Sequence, residues 1–267
     1  MLLILSSTPL ELAGDILSVD KRKLSEGKLQ YHLKVKPGDV AKYVLLPGDP
    51  GRVLKIAEFL DEAKEVAKNR EFITYSGKYR GIPVSATSTG IGCPSAAIAV
   101  EELANVGAKV FIRVGTSAGI QPDVKPGDLV LPRGAMRNEG TSYYYVPDGF
   151  PAVPSYRVLR SLVMASEKLG YKHHIGIIST DDSFYAESPE FLSELRDYGI
   201  TSLDMESSAI FIISHLRGLE AGTVLGVVAN LSTREGVFEE EDPRRSLAVE
   251  RAIKTALEAV RILEEGE

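Results

Sequence analysis

The sequence predicts a single α/β domain in which helices cover both faces of a largely parallel or mixed central β-sheet, giving three layers. Three observations predict it. Short apolar segments typical of buried strands alternate along the chain with amphipathic segments typical of helices. No linker, internal repeat or low-complexity stretch divides the chain. With 267 residues, 44% of them hydrophobic, it is long enough to bury one large core.

Residues 1–30 show no clear hydrophobic period, and we expect them to form an N-terminal extension to a single domain over 31–267. The apolar start, residues 1–5, is too short for a membrane anchor and lacks the basic segment of a signal peptide. The one cysteine, Cys93, fits a reducing compartment. A net charge of −6 gives no reason to expect a nucleic acid. We therefore expect a cytoplasmic protein that binds neither membranes nor nucleic acids.

The first strand is predicted over 43–46, and a turn rich in glycine and proline separates it from an amphipathic helix over 53–60. The amide of Gly48 and the helix N-terminus both favour a negative charge, and Arg52 lies in the first turn. The turn lacks the spacing of a P-loop. It is therefore a candidate anion site of low specificity.

Two further segments, 73–75 and 82–87, are predicted to pair as strands around a glycine-containing turn. Arg70 is an isolated arginine at the edge of this pair, where a solvated charge is the simpler interpretation. A loop of small residues then leads into a helix predicted over 96–106.

An arginine interrupts the next apolar run. The strand predicted over 110–112 ends at Arg113, and a turn of small residues follows as far as Gly119. A guanidinium inside an apolar run needs a partner, and its geometry matches a phosphate or a carboxylate. Gly115 would let backbone amides approach an anion, and Thr116 adds a hydroxyl. The alternative is that Arg113 pairs with an internal carboxylate.

The second half of the chain continues the alternation. Phe184 follows a strand end, where it could stack on a planar ligand or fill the core. Glu206 enters a largely apolar helix, and a buried glutamate needs hydrogen-bond donors, which sugar hydroxyls can supply. The predicted elements are strands over 129–132, 175–180 and 223–228 and helices over 155–169, 190–198, 210–216 and 246–264.

The chain carries six motifs in order: LPGDPGR (46–52), NREF (69–72), STGIGCPS (88–95), RVGTSAG (113–119), TDDSFY (180–185) and DMESSA (204–209). Taken together, these motifs resemble the uridine phosphorylase branch of the hexameric nucleoside phosphorylase family. The resemblance extends from residue 32 nearly to the C-terminus. It implies a nucleoside phosphorylase-like fold and the phosphorolysis of a nucleoside, in the first place uridine, to the free base and (deoxy)ribose 1-phosphate. Such an enzyme is a glycosyltransferase, a pentosyltransferase of nucleoside salvage.

The resemblance also implies roles for the candidate residues. Those that would bind phosphate are Gly48, Arg52, Arg113 and Thr116, with Arg70 from the neighbouring subunit. Those that would bind the sugar are Met205, Glu206 and, across a dimer interface, His32. Those that would meet the base are Phe184 and Asn230. The implied catalytic residues are Arg113, Thr116 and Glu206.

The implied assembly is a homo-oligomer, a hexamer built as a trimer of dimers, with a nucleoside and inorganic phosphate as substrates. Arg52, Arg70 and Arg113 would repel each other around one site, so they need an anion to offset this repulsion. No catalytic metal and no organic cofactor is expected. The resemblance implies a structural monovalent cation such as K⁺ near Glu71 and Ser95.

Base specificity is the point at which the sequence departs from the family. The pyrimidine branch usually carries an insertion with a Gln and an Arg after the Phe-Tyr pair, which this chain lacks, and the purine branch usually has an aspartate where Asn230 stands. Purine nucleosides and 5′-methylthioadenosine therefore remain alternatives to uridine. Asn230 could contact the base edge, or it could only order the loop 229–236. A nucleosidase or a non-catalytic nucleoside-binding protein is less favoured, since neither needs three phosphate-binding arginines.

Overall fold

The structure is a computed structural model that describes residues 25–266. The predicted extension, residues 1–30, therefore lies almost entirely outside the described residues. Within them, one sheet contains β1 (Tyr43–Leu46), β2 (Asp61–Asn69), β3 (Phe72–Tyr79), β4 (Ile82–Thr87), β5 (Val110–Gly119), β6 (Leu129–Asn138), β7 (His173–Asp181), β8 (Ser202–Asp204) and β9 (Glu220–Asn230). The α-helices are α1 (Pro50–Ala57), α2 (Cys93–Asn105), α3 (Tyr156–Lys168), α4 (Pro189–Asp197), α5 (Ser207–Leu216) and α6 (Pro243–Glu265).

The sheet is mixed, and part of it closes on itself. Its strand order is β2-β3-β4-β1-β5-β8-β7-β6-β9, and β9 returns to pair with β5, so that five strands form a ring. β1 runs parallel to β4 and β5, and β5 runs parallel to β9. The pairs β2–β3, β3–β4, β5–β8 and β6–β9 are antiparallel. The predicted fold class, one α/β domain with a parallel or mixed sheet flanked by helices, is confirmed.

Alternating side chains of the central strands supply two apolar cores, one on each face of the sheet. In β1, Leu45 packs with residues of α1, α3 and α6, whereas Val44 and Leu46 pack with residues of α2 and α5. Because helices cover both faces, the central strands are continuous apolar runs rather than alternating ones.

The motif 113–119 does not form the predicted turn, because it continues β5 to Gly119. In this stretch β5 pairs with β9, with Gly115 opposite Leu225. Glycine usually weakens a strand, but at position 115 a Cβ would lie 2.5 Å from Leu225 Cδ2 and 2.8 Å from Arg113 Nη2. Close packing of side chains, rather than a turn, therefore requires Gly115.

Two strands are missing from the prediction. β2 is a mostly exposed edge strand with the helix-like composition DEAKEVAKN, and it forms because β3 offers it an antiparallel partner. β8 has only three residues, and its strand character comes from its pairing with β5 on one side and β7 on the other. The first helix also begins earlier than predicted, at Pro50, because Asp49 caps it by accepting a hydrogen bond from the Gly51 amide.

Gly226 lies on β9 against α6, where a Cβ would be 2.6 Å from the carbonyl oxygen of Ala248. Gly226→Ala must displace the helix backbone, and we expect it to lower the free energy of unfolding by about 2 kcal/mol. Gly134→Ala is the matched control, since its added carbon would be 3.7 Å from the nearest atom, the oxygen of Ala152. Urea unfolding measures the free energy of unfolding of both variants. An equal decrease in the two would show that α6 can move at this contact without cost.

Candidate active site

Loops that leave β1, β4 and β8 converge on the middle of β5. The loop after β1 leads to Arg52, whose side chain reaches the β5 backbone at Val114. The loop after β4 contributes Gly92, and the segment after β8 contributes Glu206. The Gly92 amide donates to Glu206 Oε1 at 2.7 Å, which joins the last two segments. Strand ends of this kind are where α/β sheets bind ligands.

Arg113 is the centre of a buried charge cluster. Its Nε donates to Asp204 Oδ2 at 2.9 Å, and its Nη2 forms an ion pair with Glu206 Oε2. All three side chains are buried, with at most 5% of each residue exposed. The alternative interpretation of the sequence, an arginine paired with an internal carboxylate, is therefore confirmed. The remaining nitrogen, Nη1, has no protein partner within residues 25–266, which leaves both of its N–H donors for a ligand.

The charges of the cluster are unequal in number, since two carboxylates share one cation. Burial opposes the charge on Arg113, but Glu206 and Asp204 outweigh it and raise the pKa of Arg113 above its usual value. Burial raises the pKa of Glu206, Arg113 opposes that rise, and Asp204 adds to it. Arg113 is therefore a fixed cation for which two carboxylates compete.

Arg52 lies beside this cluster and forms no ion pair with a carboxylate in the described part of the chain. It is buried, and its Nη1 donates to the Val114 carbonyl oxygen at 2.9 Å. Burial, and then the positive charge of Arg113, lower the pKa of Arg52 to about 10. A buried cation without a counter-charge is stabilised by any anion that reaches it. The two guanidiniums therefore form a candidate anion site.

Two smaller groups predicted for this site lie on the same segments. Gly48 precedes α1, and a Cβ there would be 3.1 Å from the Gly90 carbonyl oxygen, so the loops after β1 and β4 touch at this point. Thr116 follows Arg113 on β5, and its hydroxyl has no partner among the residues that the structure describes.

His32 is fixed by Glu102 on α2. The Glu102 carboxylate accepts hydrogen bonds from the backbone amides of His32 and Leu33 at 3.0 and 2.8 Å, and it lies 2.7 Å from His32 Nδ1. Nε2 is left without a hydrogen bond in the described chain, on a side chain that is 28% exposed. The structure therefore presents one ring nitrogen of His32 at the surface of the protomer.

Comparison with known proteins decides the family. A sequence model of the phosphorylase superfamily matches residues 42–261. The chain belongs to this superfamily. It is 45% identical to a uridine phosphorylase of Thermococcus kodakarensis over 93% of this chain and 91% of the relative. It is 42% identical to a guanosine phosphorylase of Halorubrum lacusprofundi over 88% of this chain and 99% of the relative. A crystal structure of uridine phosphorylase from Vibrio fischeri superposes with a TM-score of 0.82 at 35% identity, covering 87% of this chain and 97% of that one.

Other residues predicted for this phosphorylase superfamily member lie away from the charge cluster. Arg70 is exposed in the turn between β2 and β3, with a left-handed backbone (φ 55°). Phe184 is 54% exposed, and its ring meets Phe238 edge to face at 6.3 Å between centroids. Among the described residues of one protomer, Arg70 therefore forms no hydrogen bond or ion pair with a residue of the charge cluster.

The implied cation site contains oxygen ligands of the kind that K⁺ accepts. Ser95 Oγ donates to Glu71 Oε1 at 3.1 Å, and the Glu71 side chain is exposed. Residues 25–266 contain no cluster of three or more His, Cys, Asp or Glu side chains that could hold a metal ion. No helix in the same range is long and apolar enough to cross a bilayer.

Asp204 is the residue whose importance the sequence did not reveal. Its Oδ2 accepts from Arg113 Nε, from the Ser207 amide at 3.0 Å and from the Ser207 hydroxyl at 2.6 Å, while its Oδ1 accepts from Thr180 Oγ1 at 2.7 Å. The signal was present in the Asp-Met-Glu sequence, where two carboxylates enter one apolar helix. Only the tertiary contact with β5 distinguishes their roles.

Asn230 is fully buried at the end of β9. Its amide nitrogen donates to the carbonyl oxygens of Gln121 and Val124 at 2.8 and 2.7 Å, and its oxygen accepts from the Thr233 amide at 2.9 Å. Both donors are therefore used by the backbone. This geometry favours the structural alternative, in which Asn230 orders the loop that follows it.

Asn230→Asp replaces both donors with a carboxylate oxygen that faces two carbonyl oxygens. We expect the free energy of unfolding to fall by roughly 1–3 kcal/mol, as for buried groups left without a partner. The ranking of nucleosides by kcat/KM should stay unchanged, because the side chain does not offer its donors to the base. Thermal unfolding and a substrate panel measure both effects. A shift of the ranking towards purines at normal stability would restore Asn230 to the base site.

Asp181, at the end of β7, is a buried carboxyl group whose Oδ2 has no hydrogen-bond partner among residues 25–266. Its Oδ1 accepts from Ser179 Oγ at 3.2 Å. Burial raises the pKa of Asp181 from 3.8 to about 6, and the nearby carboxylates of Asp204 and Asp182 add to this rise. The native state therefore holds a proton on Asp181 more tightly than the unfolded chain does.

Because the native pKa is the higher one, Asp181 lowers the stability as the pH rises from about 4 to 6, and the penalty persists above that range. Asp181→Asn removes the charge, so we expect the variant to exceed the wild type at pH 8 by on the order of 2 kcal/mol. The difference should vanish near pH 4. Thermal unfolding at pH 4, 6 and 8 measures it, and a constant offset at all three values would contradict the titration of Asp181.

Proposed function

We propose that this chain is a nucleoside phosphorylase, a pentosyltransferase that converts uridine and inorganic phosphate to uracil and ribose 1-phosphate. The observation that carries the proposal is the pair of buried guanidiniums beside Glu206. Arg52 has no carboxylate partner in the described chain, and Arg113 keeps one free nitrogen. Phosphate matches such donors in charge and geometry. The uridine phosphorylase relatives at 33–45% identity support the same reaction.

The chemistry that this site would perform is a displacement at C1′ of the sugar. A phosphate oxygen forms the new bond to C1′, and the bond to the base nitrogen breaks, with its electron pair leaving on the base. Arg52, Arg113, Thr116 and the Gly48 amide would hold the phosphate dianion under C1′, where positive charge develops in the transition state. This site therefore acts by positioning and by charge.

The sugar would be bound on the other side of Arg113. Glu206 Oε1 accepts a hydrogen bond from the Gly92 amide and Oε2 forms the ion pair with Arg113, and each oxygen keeps capacity for a ribose hydroxyl. Met205 would lie under the sugar, and Phe184 would stack on the base. The groups that would bind the phosphate and those that would bind the sugar thus share Arg113.

We further propose an assembly in which neighbouring protomers complete each other's sites. His32 presents a free ring nitrogen at the protomer surface, and Arg70 lies exposed in a turn, so both can reach a partner. The family resemblance supports a hexamer built as a trimer of dimers in the cytoplasm. The oxygen atoms of Glu71 and Ser95 would hold a structural K⁺ near the dimer interface.

A purine nucleoside is the second candidate substrate. The guanosine phosphorylase from H. lacusprofundi is 42% identical to this chain, nearly as similar as the first uridine phosphorylase. The described chain also lacks the Gln and Arg expected after the Phe-Tyr pair in the pyrimidine branch. A panel of uridine, thymidine, inosine, guanosine, adenosine and 5′-methylthioadenosine in phosphate buffer distinguishes the two.

Release of the base should require phosphate. We expect uracil to appear from uridine in phosphate buffer, together with one equivalent of ribose 1-phosphate, and not to appear in a phosphate-free buffer. The physical reason is that the two buried guanidiniums bind the attacking anion. Chromatography of base and sugar phosphate measures both products. Equal release without phosphate would support a nucleosidase, and no turnover of any nucleoside would support a binding protein.

Arg52→Ala is the sharpest test of the anion site, because Arg52 has no protein carboxylate that its removal would leave unpaired. We expect the KM for phosphate to rise about 10–100-fold, as for loss of a charge-assisted hydrogen bond. Arg113 serves less well, since its removal leaves Asp204 and Glu206 buried without a cation. Arg80→Ala, at an exposed arginine, is the matched control. An unchanged KM in Arg52→Ala would remove it from the phosphate site.

A further inference from the structure

Arg113 and Glu206 do not form the bidentate ion pair that an arginine and a carboxylate usually form. A guanidinium and a carboxylate that are buried together favour two parallel hydrogen bonds. Such a bidentate pair would use two nitrogens of Arg113 and both oxygens of Glu206. Both residues would then be poorly available to phosphate and to a sugar. The structure instead contains a single contact, from Arg113 Nη2 to Glu206 Oε2.

Asp204 accounts for this difference. It occupies Arg113 Nε at 2.9 Å, so the bidentate pair that would use Nε and Nη2 is not open to Glu206. Asp204 is itself fixed by four donors on three elements, since Thr180 lies on β7, Ser207 begins α5 and Arg113 lies on β5. The Gly92 amide holds the other oxygen of Glu206. Contacts on both sides thereby limit the two residues to a single contact with each other.

We propose that Asp204 is a positioning residue that keeps Arg113 from closing onto Glu206, and so keeps the phosphate and sugar sites open together. The proposal rests on the proposed phosphorylase function, and it concerns how the site is held rather than which groups touch the substrates. Asp204 contacts neither substrate. It acts through Arg113, by directing Nη1 towards the space beside Arg52.

The test uses Asp204→Asn, which keeps the size of the side chain and removes its charge. The neutral amide competes more weakly for Arg113 Nε than the ionised Glu206 does. We expect Arg113 to close onto Glu206 in this variant, and the Kd for inorganic phosphate, measured by calorimetry without nucleoside, to rise at least about tenfold. The KM for the nucleoside should rise with it.

A second substitution separates positioning from simple loss of structure. In Asp204→Asn/Glu206→Gln, the competing carboxylate is gone, so Arg113 is released and phosphate affinity should return to within about threefold of the wild type. Turnover should stay low, because Glu206 is also the sugar ligand. Damage to the fold would not be repaired by a second substitution in the same cluster. Failure of phosphate binding to return would overturn the proposal.

Two control variants change residues of the same charge cluster. Ser207→Ala removes the 2.6 Å hydrogen bond to Asp204 and disturbs the same helix start, but it leaves the contact with Arg113. We expect it to lower the unfolding temperature and to leave phosphate affinity unchanged. Asp204→Glu restores the charge, and its phosphate affinity should lie nearer the wild type than that of Asp204→Asn. The reverse order would contradict a role for the charge.

The outcome remains decisive if Asp204→Asn does not fold. Glu206→Gln alone leaves Asp204 in place, so Arg113 should stay directed at phosphate and the Kd should not rise. A large rise would mean that Glu206, not Asp204, positions Arg113. Failure of the proposed function is distinguishable, because in that case wild-type protein itself would bind no phosphate and release no base.

Discussion

The ion pairs of Arg113 with two carboxylates are the interaction on which the rest of the site depends. A cation buried in the middle of a sheet is unfavourable unless its donors are used. Asp204 and Glu206 pair with two of the three nitrogens, and they lie in one short segment, Asp204 at the end of β8 and Glu206 just before α5. That segment must therefore cross β5 at this point. β8 has only three residues, and this length is enough to place the two side chains beside Arg113.

The topology explains why so many functional groups meet at one place. β5 is the only strand of the described sheet that pairs with three others, β1, β8 and β9. Loops at the ends of its neighbours consequently reach the same region. Arg52 lies in the first turn of α1, which follows β1, and Glu206 lies two residues after the end of β8. The small residues at 115 and 119 permit this crowding, because any Cβ on them would lie within 3 Å of a neighbouring side chain.

The sequence predicted the elements with apolar cores, the family and the candidate ligands, because each depends on local composition or on a motif. It failed where tertiary contacts override local preference. β2 is polar enough for a solvated helix, and only its pairing with β3 makes it a strand. Arg113 is predicted as a ligand or as a structural partner, and the structure shows the structural partners, Asp204 and Glu206, while the ligand role stays a prediction. Asp204 could not be separated from Glu206 in the sequence, since their difference is which nitrogen of Arg113 each one meets.

The burial of each candidate binding residue also affects the order in which a nucleoside and phosphate would bind. Arg52 and Arg113 are almost completely buried, whereas Phe184 is 54% exposed and His32 remains accessible at the surface. A nucleoside that stacks on Phe184 while its sugar contacts Glu206 would cover the approach to the arginines. In the free site burial and the positive charge of Arg113 lower the pKa of Arg52, the carboxylates of Asp49 and Glu206 oppose this effect, and a bound anion would oppose it further. Both considerations favour entry of phosphate before the nucleoside, because phosphate must reach the inner position and because it neutralises the charge that the sugar then covers.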